Sequence, residues 1–430
     1  MTRRAILSRG ATRYGAVVGA VGAQASQALG SFLILAVAAR SLDLGSLGLL
    51  SLLYGLFVLS AATTSGFVGD SLTVLNRQSN ALRAGLQVWL FLLSAGCAVA
   101  VPLAVWALGL IDPIQALLLG LAIAAYLVED VLRRLHMACL LFQRIVLMDL
   151  TVIAAALLLL LVVGQQTELT VTSFLAAIAV GQAAGTVAGV VALPAAERVL
   201  VSLRGAQWRT VAAYGSWRAA QQALRPALLT ALRSAVVMLV AFEASGALEL
   251  ARVYAAPAML VVGGISSYLF ASFARARTVP LGQLLRRADR GVLALLCMTA
   301  VCTAVAVAAL PAAGPLLLGS LPELTAVAGW MTYTAAVSAA TPYGVLAAVR
   351  SNPSRIFLIR SADTVVSLGA VVLVVHFTAN AALAPLAAAF GAALGGLAIR
   401  QILLVPLRTT KTKNTIVSTA PHERELEKNA

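Results

Sequence analysis

Long apolar runs recur along most of the chain, and short polar segments separate them. Each run has roughly 20 residues, which is enough for a helix to cross a hydrocarbon layer about 30 Å thick. The pattern therefore predicts an all-α polytopic membrane protein with twelve membrane-spanning helices. The predicted spans are 14–39, 44–66, 85–109, 113–132, 145–164, 171–193, 222–244, 252–273, 291–312, 324–348, 356–377 and 382–406.

Basic residues occur in every second connection, beginning with Arg3, Arg4, Arg9 and Arg13 ahead of the first span. Arginine and lysine concentrate in cytoplasmic loops. A missing or extra helix would disturb this alternation from that point onward, so the charges support the count of twelve. They predict a multi-pass membrane protein with both termini cytoplasmic.

The composition agrees with this fold class. Of 430 residues, 61% are hydrophobic and 11% are charged, whereas a soluble domain has about 25% charged residues. The net charge of +15 would suggest nucleic acid as the partner of a soluble protein. In a membrane protein, the basic residues are expected to lie against anionic lipid headgroups. Membrane lipids are therefore predicted partners, and nucleic acid is not.

The connections divide the chain into two halves. A cytoplasmic segment, 1–13, precedes a first six-helix lobe at 14–193, and a second six-helix lobe occupies 222–406. The longest inner connection, 194–221, joins the lobes, and its apolar residues lie among arginines, which predicts an amphipathic segment at the inner interface. Residues 407–430 are polar and mixed in charge, so we expect a disordered cytoplasmic tail. The apolar residues of the connection are Val199, Leu200, Leu203, Trp208 and Val211.

The seventh predicted helix carries the clearest candidate for chemistry. Arg218, Gln222, Arg225 and Arg233 follow one another at spacings close to whole helical turns, which places them on one polar face. Arg233 lies about 11 residues into the span, near the middle of the bilayer at ~1.5 Å per residue. A charge at that depth is costly unless it faces a cavity or a partner. Because a guanidinium is a planar fork of donors suited to phosphate, this face predicts a cationic path for a phosphate-bearing headgroup.

Some of these polar residues have a simpler interpretation. Arg218 and Arg225 can extend to the inner lipid headgroups instead of a cavity. Gln24 and Gln27 form a weaker polar face on the first helix, which is predicted to line the opposite wall of the site. Ordinary hydrogen bonding between helices is the alternative for these two glutamines.

Two aspartates are candidates for coupling transport to a cation or a proton. Asp149 and Asp363 both fall within predicted spans, where acidic residues are rare. A local salt bridge explains Asp149 equally well. For Asp363, an ion pair with Arg360 on the same helix face is the favoured interpretation.

Nothing in the sequence predicts an enzyme. The outer connections are short, and no Gly-rich nucleotide-binding loop ending in Lys-Ser/Thr occurs. The four cysteines lie in or beside apolar runs, and the three histidines lack metal-ligand spacing. We therefore expect no catalytic residue, no cofactor and no metal ion.

Several segments carry a family resemblance. The hairpin ARSLDLGSLGL from Ala39, the segment PLLLGS from Pro315 and the segment LAAVRSNPSR from Leu346 resemble polysaccharide flippases of the multidrug/oligosaccharidyl-lipid/polysaccharide exporter superfamily. Arg252-Val-Tyr-Ala-Ala stands where that family often has Gly-x-Tyr-x-Ala, and the glycine is missing.

The resemblance implies two six-helix lobes around a central cationic cavity that opens alternately to the two sides of the membrane. It implies transport of a polyprenyl-diphosphate-linked oligosaccharide from the inner to the outer leaflet for cell-surface polysaccharide assembly, with glycan-assembly enzymes as partners. Carried onto this sequence, Arg233 would be the cavity arginine, and Arg225 would lie nearer the entrance.

Other functions fit parts of the same pattern. A cation-coupled multidrug exporter of the same superfamily has similar lobes, but it would favour deep acidic residues over arginines. A flippase for the peptidoglycan precursor usually has two additional helices. A glycan polymerase or glycosyltransferase would need a large outer loop with catalytic carboxylates, which this sequence lacks.

Overall fold

Helices account for nearly all of the described backbone. The computed structural model describes residues 3–76, 78–198, 201–275, 279–350 and 353–407. Within these ranges there are twelve long helices and no strand, together with a short helical turn at Ala195–Arg198. The long helices are α1 (Arg3–Ser41), α2 (Leu44–Val74), α3 (Asn80–Ala107), α4 (Pro113–Ala138), α5 (Phe142–Gly164), α6 (Val171–Ala192), α7 (Trp208–Leu239), α8 (Phe242–Arg275), α9 (Leu281–Leu318), α10 (Leu324–Arg350), α11 (Pro353–Thr378) and α12 (Ala381–Leu407).

The prediction of an all-α membrane protein with twelve helices is confirmed. Each predicted span overlaps one of the long helices. Among the described residues, nine of these helices are long and apolar enough to cross a membrane. The other three are α7, α8 and α10, of which α7 carries arginine and glutamine and α10 carries threonine, serine and tyrosine within the helix.

Two segments expected outside the spans are helical. α1 already begins at Arg3, and α7 begins at Trp208, so residues 208–221 of the predicted connection belong to a helix. Residues 208–221 include four alanines and two arginines, and both residue types have high helix propensity. A hydropathy pattern does not detect a helix that continues past its apolar run. Other parts of the predicted connection and tail lie outside the described residues, namely Val199, Leu200 and 408–430.

The chain forms two compact units. The first contains Met1–Tyr254 and Pro311–Pro322, and the second contains Ala255–Leu310 and Glu323–Ala430. The first unit therefore includes α7 and the beginning of α8 in addition to α1 to α6. The division into six-helix lobes at 194–221 stays a prediction.

Glycines bring α2 very close to α7 and α8. A Cβ at Gly66 of α2 would lie only 2.7 Å from the Cα of Ala219 on α7. Gly48 of α2 and Gly246 of α8 meet so closely that a side chain on Gly246 would overlap the Leu44 carbonyl oxygen. Small residues permit this close approach of helix backbones. The contacts hold α7 and the beginning of α8 on the first unit, where they carry the candidate site.

A π-helical turn interrupts α2 at Ser65–Gly69 and α12 at Ile399–Leu404. Such a turn widens the helix locally and changes the direction of the side chains that follow it. In α2 the next residue is Asp70, and in α12 the turn contains Arg400. Both side chains form ion pairs with residues of other helices.

Candidate functional site

The polar face of α7 is present, and Arg233 lies nearer the end of its helix than the predicted span 222–244 gives. α7 ends at Leu239, so Arg233 lies six residues, or about 9 Å, before the end of the helix. The expectation of a mid-span position assumed a helix from 222 to 244, whereas α7 begins and ends earlier. Arg225 is exposed, Arg218 is partly exposed, and Arg233 is 8% exposed. The face thus leads from an exposed to a buried environment.

Arg233 forms a buried ion cluster with two residues of α8. Its Nη2 atom lies 3.3 Å from Oε2 of Glu249, whose side chain is 2% exposed. Arg252 holds the same carboxylate through two hydrogen bonds of 2.9 and 2.5 Å. Two guanidiniums therefore share one carboxylate, so the cluster carries one net positive charge. Glu249 and Arg252 lie where hydropathy predicts an outer connection, and their spacing of three residues was the only sequence signal of a pair.

Arg233 retains hydrogen-bonding capacity that its partners do not use. Among the described residues, neither its Nε atom nor the hydroxyl of Thr230, one turn earlier, has a hydrogen-bond partner. Gly55 of α2 packs against both groups: a Cβ there would lie 3.2 Å from Nη1 of Arg233 and 3.0 Å from Oγ1 of Thr230. The cluster is therefore a buried, net-positive site in which Nε of Arg233 and the hydroxyl of Thr230 remain available for hydrogen bonding.

A second carboxylate, Asp70 of α2, binds the earlier part of the polar face. Arg218 contacts Asp70 with Nε at 2.8 Å and with Nη2 at 2.6 Å. Gln222 donates to the same carboxylate at 3.4 Å, and Nη1 of Arg134 on α4 lies 3.7 Å from it. Two arginines again share one carboxylate. The sequence did not reveal Asp70 as a partner of Arg218 and Gln222, because nothing local indicates that α2 and α7 are adjacent.

Gln27 and Asp149 belong to one buried network on α1, α4 and α5. Arg133 contacts Asp149 through Nε–Oδ1 at 2.9 Å and Nη2–Oδ2 at 3.2 Å. Arg133 also donates to Oε1 of Gln27 at 2.8 Å, and Ser26 donates to Asp149. The salt bridge that was one of the two interpretations of Asp149 is therefore present. Gln24, by contrast, is exposed.

A small pocket of about 50 Å³ lies beside this network within the first unit. Glu129 of α4 lines it and is 3% exposed, and its Oε1 atom has no hydrogen-bond partner among the described residues. Gln182 of α6 also leaves its Oε1 atom unpartnered there. Glu129 is thus a buried carboxylate that the sequence analysis did not select. The polar residues that line the pocket are Ser26, Gln27, Ser31, Tyr54, Tyr126, Glu129, Asp149 and Gln182.

Asp363 forms the ion pair that the sequence favours. Nη1 of Arg360 lies 3.5 Å from Oδ2 of Asp363, both on α11 of the second unit. Glycines make room for the pair: Gly395 of α12 lies against the carboxylate, and a Cβ at Gly344 of α10 would lie 2.7 Å from Nη2 of Arg360. The pair therefore fits only because neither glycine has a side chain.

A further ion pair in the second unit was not evident from the sequence. Arg400 of α12 contacts both carboxylate oxygens of Asp289 on α9, at 2.9 and 3.1 Å. The hydroxyl of Tyr343 on α10 donates to the same carboxylate at 2.8 Å. The three side chains link α9, α10 and α12, and the charges of Arg400 and Asp289 cancel.

The polar side chains of the described residues can bind a ligand through charge and hydrogen bonds. Among the described residues, no three His, Cys, Asp or Glu side chains are grouped so that they could hold a metal ion. The candidate site consists of arginines of α7 and α8 with two carboxylates, and of the Glu129 pocket in the same unit.

The chain has the fold of a known class of transporter. It is similar to the inward-facing conformation of a multidrug resistance MATE family transporter of the MOP superfamily, with a TM-score of 0.66 and 13% identity over 90% of this chain and 96% of that chain. The outward-facing conformation of such a transporter has a TM-score of 0.59 and 13% identity over 93% and 96% of the two chains. A MATE structure in the straight conformation has a TM-score of 0.57 and 13% identity, covering 89% and 92%. MATE transporters have twelve transmembrane helices in two lobes.

Sequence comparison gives no closer assignment. No family model matches the chain, and no curated protein matches it significantly. At 13% identity the structural likeness establishes the fold alone. This fold agrees with the superfamily that the sequence resemblance implies, and the polysaccharide-flippase branch stays a prediction.

Proposed function

We propose that the protein is a transporter that moves a polyprenyl-diphosphate-linked oligosaccharide from the inner to the outer leaflet by alternating access. The supporting observation is the distribution of charge along α7. Asp70 and Glu249 each form ion pairs with two arginines, and Arg225 is exposed at a position along α7 between these two clusters. Each cluster retains one positive charge. A face with surplus guanidinium charge suits a cargo that carries phosphate.

Only the polar headgroup of this cargo needs the protein in order to cross the membrane. A diphosphate and its sugars cannot enter hydrocarbon without a large desolvation cost, whereas the polyprenyl chain is already dissolved in lipid. The protein needs to shelter and neutralise the headgroup only. The residues that we propose for headgroup binding are Arg225, Arg218, Gln222, Arg233, Gln24 and Gln27.

Alternating access is consistent with the fold, because MATE transporters have been solved in both inward-facing and outward-facing conformations. Asp149 and Asp363 are proposed sites of ion coupling. Each lies within 3.5 Å of an arginine, so a bound proton or cation would compete with that arginine. The proposal includes a bacterial-type plasma membrane, cytoplasmic termini and glycan-assembly enzymes as partners.

A cation-coupled multidrug exporter is the second candidate, and the Glu129 pocket favours it. A buried carboxylate whose Oε1 atom has no hydrogen-bond partner among the described residues is suited to accept a proton or a monovalent cation. The solved transporters with TM-scores of 0.66 and 0.59 are described as multidrug resistance transporters. The surplus positive charge along α7 disfavours a cationic drug as cargo and is the reason for ranking this candidate second.

Reconstitution of the full chain in phospholipid vesicles distinguishes the two candidates. The vesicles receive a polyprenyl-diphosphate oligosaccharide with a fluorescent sugar, and an impermeant quencher reports which leaflet holds the headgroup. A flippase makes the inner headgroups accessible to the quencher. An exporter instead accumulates a fluorescent cationic drug when a proton or sodium gradient is applied, and leaves the lipid-linked sugar in place.

Arg225→Gln is expected to slow flipping about tenfold or more, because a charge-assisted hydrogen bond contributes about 1.5 to 3 kcal/mol. Arg290→Gln removes the same charge from an exposed position of α9 and should leave the rate unchanged. An Arg225→Gln variant that flips at the wild-type rate would remove α7 from the proposed pathway.

A further inference from the structure

The connection between α6 and α7 carries an exposed patch that neither candidate function uses. It consists of Leu203, Arg204, Trp208 and Arg209, named here the α7 entry patch. Leu203 is 57% exposed, Trp208 is 47% exposed, and both arginines are exposed. The guanidinium carbon of Arg209 lies 5.2 Å from the centroid of the Trp208 ring, which is a cation–π contact.

The backbone of this patch is held in place, so its side chains are presented in a defined arrangement. The amide of Gln207 donates to the carbonyl oxygen of Ala81 at 2.9 Å. The indole N–H of Trp89 on α3 donates to the carbonyl oxygen of Trp208 at 2.8 Å. Gly205 has a φ of +74°, in the left-handed region that a glycine adopts without strain, and it turns the chain toward α7. Two hydrogen bonds to α3 therefore fix a segment whose large apolar side chains remain outside the core.

The position of the patch along the chain indicates its surroundings. It follows α6, which is long and apolar enough to cross a membrane, and it lies in a connection that the charge pattern predicts to be cytoplasmic. Tryptophan is enriched at the level of lipid headgroups. Arginines close to the membrane surface are attracted by anionic lipids. Among the described residues, no ion pair involves Arg204 or Arg209, so their charges are available to a ligand.

We propose that the α7 entry patch binds the headgroups of anionic phospholipids in the cytoplasmic leaflet. Arg204 and Arg209 contact the headgroup phosphates. Trp208 and Leu203 insert at the level of the glycerol backbone. The combination of two arginines with two exposed apolar side chains favours a lipid over a free phosphate, because a free phosphate has nothing to cover Trp208 and Leu203. This inference does not depend on the nature of the cargo.

Lipid titration of the purified full chain in detergent tests the proposal. The probes are short-chain phosphatidylglycerol, phosphatidylcholine of the same chain length, and glycerol phosphate without acyl chains. Native mass spectrometry measures the bound fraction of each. Phosphatidylglycerol is expected to bind most tightly, and its affinity should fall as salt is raised, because salt screens exposed charges.

Two matched variants separate the patch from general surface charge. Arg204→Gln with Arg209→Gln should weaken binding of phosphatidylglycerol about tenfold or more. Arg286→Gln with Arg287→Gln removes the same charge from exposed positions of α9 and should change it less than about twofold. Trp208→Ala should weaken binding of both phospholipids. All substituted positions are exposed, and unchanged thermal unfolding of each variant verifies that it is folded.

Three results would overturn the proposal. The first is equal affinity for phosphatidylglycerol in the wild type and the Arg204/Arg209 double variant. The second is phosphatidylcholine binding as tightly as phosphatidylglycerol, which would mean that charge is not recognised. The third is glycerol phosphate binding as tightly as phosphatidylglycerol, which would mean that the patch is a site for a free anion.

Discussion

At the scale of single residues, the candidate site is governed by how many arginines share a carboxylate. A buried ion is stable when it is paired, and removal of one partner leaves an uncompensated charge. Glu249 is the carboxylate that both Arg233 and Arg252 contact. Its partners are unequal, since Arg252 holds it through two hydrogen bonds and Arg233 through one. Glu249 therefore controls the charge at the buried end of the α7 face.

Replacement of Glu249 by glutamine is expected to lower the free energy of unfolding by about 3 to 5 kcal/mol, because the buried guanidinium of Arg233 and the half-buried guanidinium of Arg252 lose their countercharge. Denaturant unfolding of the purified protein in detergent measures the change. Glu243→Gln makes the same substitution at an exposed position of the same helix and should change stability by less than about 0.5 kcal/mol. Addition of Arg233→Gln to Glu249→Gln should recover part of the loss. A Glu249→Gln variant as stable as the wild type would contradict the buried ion cluster.

At the scale of helices, close contacts at glycines determine how the beginning of α8 packs against α2. Gly246 of α8 lies against Leu44 and Gly48 of α2, and Glu249 follows it by three residues on the same helix. A shift of α8 at Gly246 would therefore also move Glu249 away from Arg233. Helix packing and the buried charge cluster are in this way coupled.

Gly246→Ala is expected to destabilise the protein by about 1 to 3 kcal/mol, because the added methyl group overlaps the Leu44 carbonyl oxygen and the helices must separate. Gly96→Ala is the matched control, since a Cβ at Gly96 of α3 meets nothing within 4 Å. That substitution should be neutral or stabilising by up to about 1 kcal/mol, the difference in helix propensity. Thermal unfolding measures both changes. Equal stability of the two variants would mean that α2 and α8 are not in close contact.

At the scale of the whole molecule, the alternation of basic connections sets the orientation in the membrane. The connection at 194–221 is rich in arginine, whereas the connection between α5 and α6 carries none and contains Glu168. The cytoplasmic side attracts positive loops, so these two connections are predicted to face opposite compartments. The direction of transport that we propose depends on this orientation.

Labelling with a membrane-impermeant maleimide in intact cells tests the orientation. The four native cysteines are first replaced, and a single cysteine is introduced at Gln166 or at Ser202, both exposed. We expect labelling at position 166 in intact cells, and labelling at position 202 only after the cells are permeabilised. The reverse pattern would invert the topology and with it the proposed direction of flipping.

The sequence by itself determined the fold class, the twelve helices and the presence of a polar face on α7. Apolar runs and helical spacing are local properties, and a bilayer selects for them at every span, so they can be recognised without knowing which helices are neighbours. The ion pair of Arg360 with Asp363 could be predicted for the same reason, because both residues lie on one helix.

Only the tertiary structure decided the partners of the other charges. Arg233 meets Glu249 from α8, Arg218 meets Asp70 from α2, and Asp149 meets Arg133 from α4. These pairs depend on which helices pack together and on small features such as the π-helical turn before Asp70. An arginine on a polar face has the same local pattern whether a substrate or a carboxylate of another helix neutralises it. Its environment is therefore a property of the packed molecule.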